Sequence, residues 1–168
     1  MSPRFGAPEP LNAQHVVAGF DCGSAAQSDW LIRHALQAHR AGLSRVYVTA
    51  SGERVAGYYA LSAGSVSPAD APRRLLQGAG QYPQPIVILT RLGVDLSMQG
   101  RGLGRSLIVD ALTRVAVASE VIGVRALLIH CETEAARNFY QGLAKFDESP
   151  TDPMHLVLFM KDLRRALS

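Results

Sequence analysis

The sequence has two cysteines, few lysines and no long hydrophobic run, and the first and last of these shortages each exclude a class of protein. Cys22 and Cys131 are too few for a disulfide scaffold, which favours a reducing cytoplasm. No segment approaches the ~20 uncharged apolar residues of a membrane helix, and the first ten residues hold no apolar run typical of a secretory signal. The sequence therefore predicts a cytoplasmic protein with no membrane partner.

Positive charge is carried almost entirely by arginine. Lys145 and Lys161 are the only lysines, so 15 of the 17 basic side chains are arginine (17 minus 2). The planar guanidinium matches phosphate and carboxylate better than an ammonium group does. A GC-rich genome, which encodes arginine by default, explains the same bias, and a formal net charge of +3 is too small to require nucleic acid. The charge permits an anionic partner and no more.

Length and composition indicate one globular domain. The chain has 168 residues, of which 48% are hydrophobic and 18% are charged, values typical of a folded domain. We therefore expect residues 1–168 to form a single domain, with an irregular N-terminal segment over residues 1–13, where three prolines interrupt regular structure.

Hydrophobic periodicity predicts alternating strands and helices in the N-terminal half. We expect a first strand over residues 15–20, a helix through Trp30 that ends at Gly42, and a hairpin over residues 45–64. Residues 65–85 are rich in proline and glycine, which predicts a long loop with one helical turn near Arg73–Gln77.

The C-terminal half repeats the alternation. A buried strand over residues 86–94 leads through a loop to an amphipathic helix that starts near Leu103. A strand over 125–130, a helix from Glu132 to about Leu143, strands at Phe146 and over 155–160, and a terminal helical turn follow. This order predicts an α/β (α+β) fold, with one mixed, mostly antiparallel sheet, helices on both faces and a central βαβ unit over residues 86–130.

A glycine-rich loop connects the buried strand to the amphipathic helix. It reads Gln99-Gly100-Arg101-Gly102-Leu103-Gly104-Arg105, and alternating glycines let the backbone approach a ligand. The free N–H groups at a helix start favour an anion. The spacing fits neither the dinucleotide fingerprint G-x-G-x-x-G nor the ATP loop G-x-x-x-x-G-K-[ST]. It predicts a phosphate-bearing ligand other than nicotinamide, flavin or Walker-bound ATP, with a structural glycine turn as the alternative.

The segment Gln99–Gly104 resembles the Gln/Arg-x-x-Gly-x-Gly/Ala pattern of the GNAT superfamily of acetyl-CoA-dependent N-acetyltransferases. The resemblance extends over nearly the whole chain, and further segments are similar to one branch, the TacT- and AtaT-like toxins of type II toxin–antitoxin modules. Toxins of this branch acetylate the amino acid on charged tRNA and stop translation. The further segments are Phe20–Gly23, Trp30–Leu31, Gly57–Ser62, Arg91–Asp95 and Ser149–Met154.

The resemblance implies a site for acetyl-CoA, used as the acetyl donor, and no metal. The main chain of Leu92, Gly93 and Val94 would pair with the pantetheine arm. Thr133 stands where many GNAT proteins carry an asparagine that contacts the same arm. The amides of the loop would hold the pyrophosphate, namely those of Gln99, Gly100, Arg101, Gly102, Leu103, Gly104 and Arg105.

Tyr140 is the candidate catalytic residue. The resemblance assigns it as the general acid that protonates the departing thiolate, and a phenol with a pKa of about 10 keeps its proton at neutral pH. An α-amino group titrates at about 8, so its acetylation needs no strong protein base. The alternative is a half-buried tyrosine that anchors a helix on the sheet. After this helix, Ala144-Lys145-Phe146 replaces the usual Gly-Phe, and the extra residue predicts a shifted helix end.

Several arginines are candidates for contacting tRNA. Phosphate contacts from such side chains position a nucleic acid without reading its sequence. Taken singly, each is most often a solvated surface residue. The candidates are Arg73, Arg74, Arg91 and Arg137, with Arg101 and Arg105 in the glycine loop.

Histidine and cysteine give no second site in this sequence. His130 and Cys131 lack the C-x-x-C or H-x-x-x-H spacing of a metal site, so no metal is predicted. Cys22 has no nearby histidine with a group to orient it, which favours a small turn residue over a nucleophile.

The predicted function is acetylation of the α-amino group of aminoacyl-tRNA with acetyl-CoA, which blocks translation. The resemblance implies a ribbon-helix-helix antitoxin as partner, and a homodimer stays open. Two alternatives remain. One is a GNAT enzyme that acetylates a small-molecule amine or a protein N-terminus, and the other is a non-catalytic coenzyme-A-binding regulatory module.

Overall fold

The computed structural model describes residues 5–78 and 80–168, which include a seven-stranded mixed sheet. The strands are β1 (Glu9–Pro10), β2 (Arg45–Ser51), β3 (Arg54–Val66), β4 (Gln84–Val94), β5 (Ala126–His130), β6 (Asp147–Glu148) and β7 (His155–Phe159). The helices are α1 (Ala25–Arg33), α2 (Ala35–Ala41), α3 (Arg73–Leu76), α4 (Leu103–Ser119), α5 (Glu134–Gln141) and α6 (Met160–Leu167).

The strand order across the sheet is β1-β2-β3-β4-β5-β7-β6. Strands β4 and β5 pair in parallel with α4 between them in the chain, whereas β1–β2, β2–β3, β5–β7 and β6–β7 are antiparallel. The predicted α/β (α+β) class, with its mixed sheet and its βαβ unit, is confirmed.

The chain divides into two compact units. The first holds the described residues up to Ser62 together with Thr90–Ala111, and its core contains Leu31, Val46, Val48 and Tyr58. The second holds Ala63–Leu89 and Leu112–Ser168, and its core contains Leu75, Ile86, Leu128, Val157 and Phe159. Within the described residues, no helix combines the length and the apolar character needed to cross a membrane.

The first predicted strand, over residues 15–20, is wrong. Val16 forms only an isolated parallel bridge with Arg54, and the chain then turns, because Gly19 has a φ of +78° and the Phe20 amide donates to the Val17 carbonyl. The edge of the sheet is instead formed by Glu9–Pro10, within the segment expected to be irregular.

The helix expected to end at Gly42 is present as two helices. Ser24 caps the start of α1 by accepting from the Gln27 amide. His34 then takes a φ of −125°, which is outside the helical region and separates α1 from α2. Gly42 ends α2 in the left-handed conformation, as predicted.

Other expectations hold with changed bounds. Strands β2 and β3 form the predicted hairpin, with Val48 opposite Tyr58. The helical turn in the long loop is present as α3, and α5 is two residues shorter at each end than expected. Different contacts set the two ends of α5. Thr133 caps the start, and the Gly142 amide donates to the Asn138 carbonyl at the end.

Candidate active site

The end of β4 lies against two other segments of the first unit at very short range. A Cβ atom added to Gly93 would lie 3.0 Å from the Cys22 sulfur, and one added to Gly57 on β3 would lie 2.9 Å from a Leu107 methyl group and 3.3 Å from the Gly93 carbonyl oxygen. Both positions therefore leave little room for a side chain larger than that of glycine. The sequence prediction placed Leu92, Gly93 and Val94 in the site but missed Gly57, which the strand pattern does not distinguish.

A buried carboxylate fixes the turn after β4. Asp95 accepts hydrogen bonds from the Asp21 amide (3.1 Å), the Ser97 amide (3.0 Å) and the Ser97 hydroxyl (2.6 Å). Burial opposes the charge of Asp95, but the Ser97 and Asp21 hydrogen bonds and the nearby Arg54 outweigh it and hold the pKa of this carboxyl below its usual value. The Asp-x-Ser spacing is a signal for this turn that sequence reasoning did not use.

Gln99 ties the glycine loop back to the end of β4. Its side-chain nitrogen donates to the Val94 carbonyl at 3.0 Å and lies 3.4 Å from the Cys22 carbonyl. The glutamine of the loop motif therefore contributes its side chain to the shape of the loop, in addition to the amide that the resemblance assigns to the pyrophosphate.

Two glycines give the loop a conformation that other residues avoid. Gly100 and Gly102 have φ values of +79° and +80°, and a Cβ atom added to either would meet nothing within 4 Å. Packing within the protein therefore does not require glycine here. The backbone conformation favours glycine at both positions, and the open space beside them leaves the loop accessible to a ligand.

The loop leads directly into α4, and the first amides of this helix come before its first backbone hydrogen bond. The Ser106 amide donates to the Gly102 carbonyl, so the amides of Leu103, Gly104 and Arg105 precede the first helical bond. Arg101 and Arg105 are exposed beside them. A diphosphate needs several amide donors, positive charge and room, and this segment offers all three.

Tyr140 belongs to the second unit, on α5. Its side chain is buried, and its ring packs against Phe139 (centroids 5.3 Å apart) and Phe146 (6.3 Å). Phe146 therefore reaches the tyrosine despite the extra residue before it. Burial, and next the nearby Cys131 thiol, raise the pKa of Tyr140 above its ordinary value, so the phenol keeps its proton throughout the neutral range.

The hydroxyl is the one polar group of the Tyr140 side chain. Among residues 5–78 and 80–168, no group is recorded in a hydrogen bond with this hydroxyl, and the same residues include no buried side-chain oxygen or nitrogen without a partner. The oxygen therefore keeps a small accessible area, although only 6% of the residue is exposed. A protonated hydroxyl that is held by a buried ring and has no partner among the described residues can donate to a molecule that binds there.

Thr133 caps the start of α5. Its hydroxyl oxygen accepts from the Ala136 amide at 3.1 Å, which positions the first turn of the helix. The hydroxyl proton is left to donate elsewhere, so the pantetheine contact that the resemblance implies stays a prediction.

The predicted tRNA-binding arginines fall into two groups. Arg73 is exposed at the start of α3, and the guanidinium of Arg91 lies 5.2 Å above the Trp30 ring. Arg74 and Arg137, in contrast, are bound by acidic side chains within the second unit. Sequence pattern treats all four alike, because the partners of the second group lie far away in the chain or across a loop.

Arg74 is the centre of an ion cluster. Its guanidinium contacts both oxygens of Asp147 (3.2 and 3.1 Å) and one oxygen of Asp162 (2.9 Å), and it lies 4.0 Å above the Phe159 ring. Asp162 is itself buried. These contacts hold β6, α6 and α3 together, and the predicted contact of Arg74 with tRNA stays a prediction.

Replacing Arg74 by alanine is expected to lower the stability of the protein, because it leaves the buried Asp162 carboxylate without its cation. The midpoint of urea unfolding measures this loss. Arg73→Ala, one residue away but exposed, is the control and should leave the midpoint unchanged. Equal midpoints for the Arg74 variant and the wild type would contradict the structural role.

No metal site accompanies these residues in the described part of the chain, where no group of three or more histidine, cysteine or acidic side chains is placed to hold an ion. His130 stacks on His155 with ring centroids 3.9 Å apart. Burial, and next the charge of His155, lower the pKa of His130. Burial raises the pKa of the Cys131 thiol, so this cysteine is protonated at neutral pH.

Comparison with known proteins decides the family. The chain is 44% identical over 160 residues to a "tRNA-acetylating toxin" of Mycobacterium tuberculosis, and the match covers 95% of both chains. The chain belongs to the TacT/AtaT-like branch of GNAT toxins. A second relative, from Sinorhizobium fredii and named "Probable toxin TacT", is 32% identical over 72% of this chain and 69% of its own. No family model matches the sequence.

Solved structures of GNAT toxins share the fold. A tyrosine-to-phenylalanine mutant of KacT superposes with a TM-score of 0.88 at 27% identity, over 96% of this chain and 98% of its own. AtaT complexed with acetyl-methionyl-tRNAfMet gives a TM-score of 0.87 at 27% identity, over 98% and 100% of the two chains. Another AtaT structure contains its antitoxin AtaR and acetyl-CoA.

Proposed function

We propose that this protein transfers the acetyl group of acetyl-CoA to the α-amino group of aminoacyl-tRNA and thereby blocks translation. The observation that carries the proposal is the 44% identity to a tRNA-acetylating toxin over 95% of both chains. The complex of AtaT with acetyl-methionyl-tRNAfMet supports the same substrate class. The open glycine loop and the protonated Tyr140 hydroxyl supply the parts that such a reaction needs.

The glycine loop is the proposed site for the diphosphate of acetyl-CoA. The amides from Gln99 to Arg105 donate to the phosphate oxygens, and the positive φ values of Gly100 and Gly102 give the loop its shape. The main chain of Leu92–Val94 and the Thr133 hydroxyl hold the pantetheine arm. Acetyl-CoA is a substrate here, and the reaction as proposed uses no metal.

Tyr140 is the proposed general acid. The amine nitrogen forms a bond with the carbonyl carbon of the thioester, the carbon–sulfur bond breaks, and the thiolate takes the proton of the Tyr140 hydroxyl. The amine loses its own proton to water, and solvent returns a proton to Tyr140. Since an α-amino group titrates at about 8, a useful fraction of the acceptor is already neutral at pH 7.

The whole chain acts as one catalytic domain in this proposal, and tRNA is bound by the surface of that domain. The match to the mycobacterial toxin, which covers 95% of each chain, supports this view. We further propose a cytoplasmic location and a ribbon-helix-helix antitoxin as partner. The AtaT–AtaR complexes support an antitoxin as partner. A homodimer is compatible with the proposal and is tested by light scattering.

Arg73 and Arg91 are the proposed phosphate contacts for tRNA. Arg73 is exposed, and the guanidinium of Arg91 stacks over the Trp30 ring, a contact that does not use its N–H groups as hydrogen-bond donors. We expect Arg73→Ala and Arg91→Ala each to weaken binding of charged tRNA and to reduce the salt slope of that binding by about 1. Filter binding over a series of salt concentrations measures the slope. Arg164→Ala is the control, and unchanged slopes in both test variants would exclude the two contacts.

The test of the proposed function compares charged and deacylated tRNA. With labelled acetyl-CoA, the protein is expected to label charged tRNA and leave deacylated tRNA unlabelled. Label on a small amine or a protein N-terminus, with none on charged tRNA, would favour the first alternative function. Tight binding of acetyl-CoA with no transfer to any amine would favour a regulatory module.

A further inference from the structure

We propose that Arg137 is a positioning residue for Tyr140: it fastens α5 to the segment between β6 and β7, and so fixes the tyrosine hydroxyl. The inference rests on the proposed function, because it assumes that Tyr140 acts as the general acid. It replaces the earlier expectation that Arg137 contacts tRNA phosphate.

Arg137 bridges the helix and the β6–β7 segment with two different nitrogen atoms. Its Nε atom donates to the Pro153 carbonyl oxygen at 3.0 Å, and its Nη2 atom forms an ion pair with Glu148. The Arg137 side chain is only 21% exposed. One planar guanidinium therefore joins α5 to both ends of the segment, a geometry that the single nitrogen of lysine does not reproduce.

The segment that receives Arg137 is itself held firmly. The Cys131 amide donates to the Met154 carbonyl at 2.8 Å, which connects the segment to the end of β5. The Thr151 hydroxyl donates to the Asp70 carboxylate at 2.7 Å, and the Ser149 hydroxyl donates to the Asp70 carbonyl at 2.9 Å. Arg137 thus fastens α5 to a segment anchored at several other points.

Helix α5 needs such a connection. It spans only Glu134–Gln141, about two turns, and a helix of this length is marginal without tertiary contacts. The helix is also stabilised by the Thr133 cap at its start and by the packing of Tyr140 on Phe146 near its end. Arg137 lies three residues before Tyr140, so the two side chains occupy neighbouring positions on the helix surface.

A small displacement of α5 is sufficient to affect catalysis. The Tyr140 hydroxyl must come within hydrogen-bond distance of the departing sulfur, and a 1 Å error in such a geometry costs up to about 100-fold in rate. Nε and Nη2 of Arg137 are already engaged by the Pro153 carbonyl and by Glu148, which favours positioning of the helix as the role of this side chain.

Substitutions on both sides of the ion pair separate positioning from phosphate binding. Arg137→Lys keeps the charge but loses the two-nitrogen bridge, and Glu148→Gln removes the carboxylate while leaving the arginine free to bind phosphate. We expect each to lower kcat by about 10- to 100-fold. KM for charged tRNA and for acetyl-CoA should stay within about twofold of wild type, since binding groups are intact.

The decisive readout is the effect of the same changes in the Tyr140→Phe background. A residue that acts by positioning the hydroxyl has nothing left to position once the hydroxyl is gone, so the double variants should be no slower than Tyr140→Phe alone. Arg164→Lys and Glu120→Gln are matched controls, because they alter an exposed ion pair between α6 and the end of α4. Both controls should keep the wild-type kcat.

Three results would overturn the inference. A normal kcat for Glu148→Gln together with a raised KM for tRNA in Arg137→Lys would make Arg137 a phosphate ligand. An equal loss of kcat with and without the Tyr140 hydroxyl would reduce it to a general structural role. An undiminished rate in Tyr140→Phe itself would remove the general acid, whereas absence of tRNA labelling by the wild type would instead refute the proposed function.

Discussion

Replacing Tyr140 by phenylalanine is expected to lower the rate of tRNA acetylation by about 10²- to 10⁴-fold, the range typical for loss of a general acid. The ring keeps its packing against Phe139 and Phe146, so the fold should be unaffected. The hydroxyl has no recorded hydrogen bond to any described residue, and its removal leaves no partner unsatisfied. The effect should therefore appear in kcat and not in the stability of the protein.

Single-turnover kinetics with labelled acetyl-CoA and charged tRNA measure this loss, and thermal unfolding tests the stability. Tyr82→Phe is the matched control, because Tyr82 is 75% exposed and belongs to neither candidate site. It should keep the wild-type rate. A Tyr140→Phe protein that retains the full rate would show that the thiolate takes its proton from another source.

Replacing Gly102 by alanine is expected to weaken acetyl-CoA binding by about 10- to 100-fold. A non-glycine residue at a φ of +80° costs roughly 1–2 kcal/mol, and the loop relieves this strain by changing its conformation. Loss of one hydrogen bond to a charged phosphate is worth about 1.5–3 kcal/mol, which corresponds to the expected loss of affinity. Isothermal titration with acetyl-CoA measures it.

Gly42→Ala provides a closely matched control for the Gly102 variant. Gly42 has a φ of +76°, and a Cβ atom added there also meets nothing within 4 Å, but the residue ends α2 and lies outside the glycine loop. Both variants should lose similar stability, and only Gly102→Ala should lose affinity for acetyl-CoA. Equal affinities in the two variants would mean that the glycine loop does not hold the diphosphate.

The parts of the site that depend on local chemistry were predictable from the sequence. The loop Gln99–Arg105 joins a buried strand to an amphipathic helix, so its glycines and its free amides can be placed without knowledge of the rest of the chain. The structure adds the conformation of Gly100 and Gly102 and the open space beside both residues.

The roles of the arginines were not predictable in the same way. Arg74 meets Asp147 and Asp162, which follow it by 73 and 88 residues, and no periodicity or motif connects positions so far apart. The error over residues 15–20 has a related cause. An apolar run fits a strand, but the turn at Gly19 and the competing partner for β2 at Glu9–Pro10 are decided by tertiary contacts.

The most direct test identifies the acetylated atom. Charged tRNA is incubated with the protein and acetyl-CoA, the amino acid is released by mild alkaline hydrolysis, and the product is analysed by mass spectrometry. Acetylation of the α-amino group predicts recovery of the N-acetyl amino acid, with wild-type protein and not with the Tyr140→Phe variant on the same timescale. Recovery of the unmodified amino acid from the wild-type reaction, or an acetyl group that stays on the nucleotides, would contradict it.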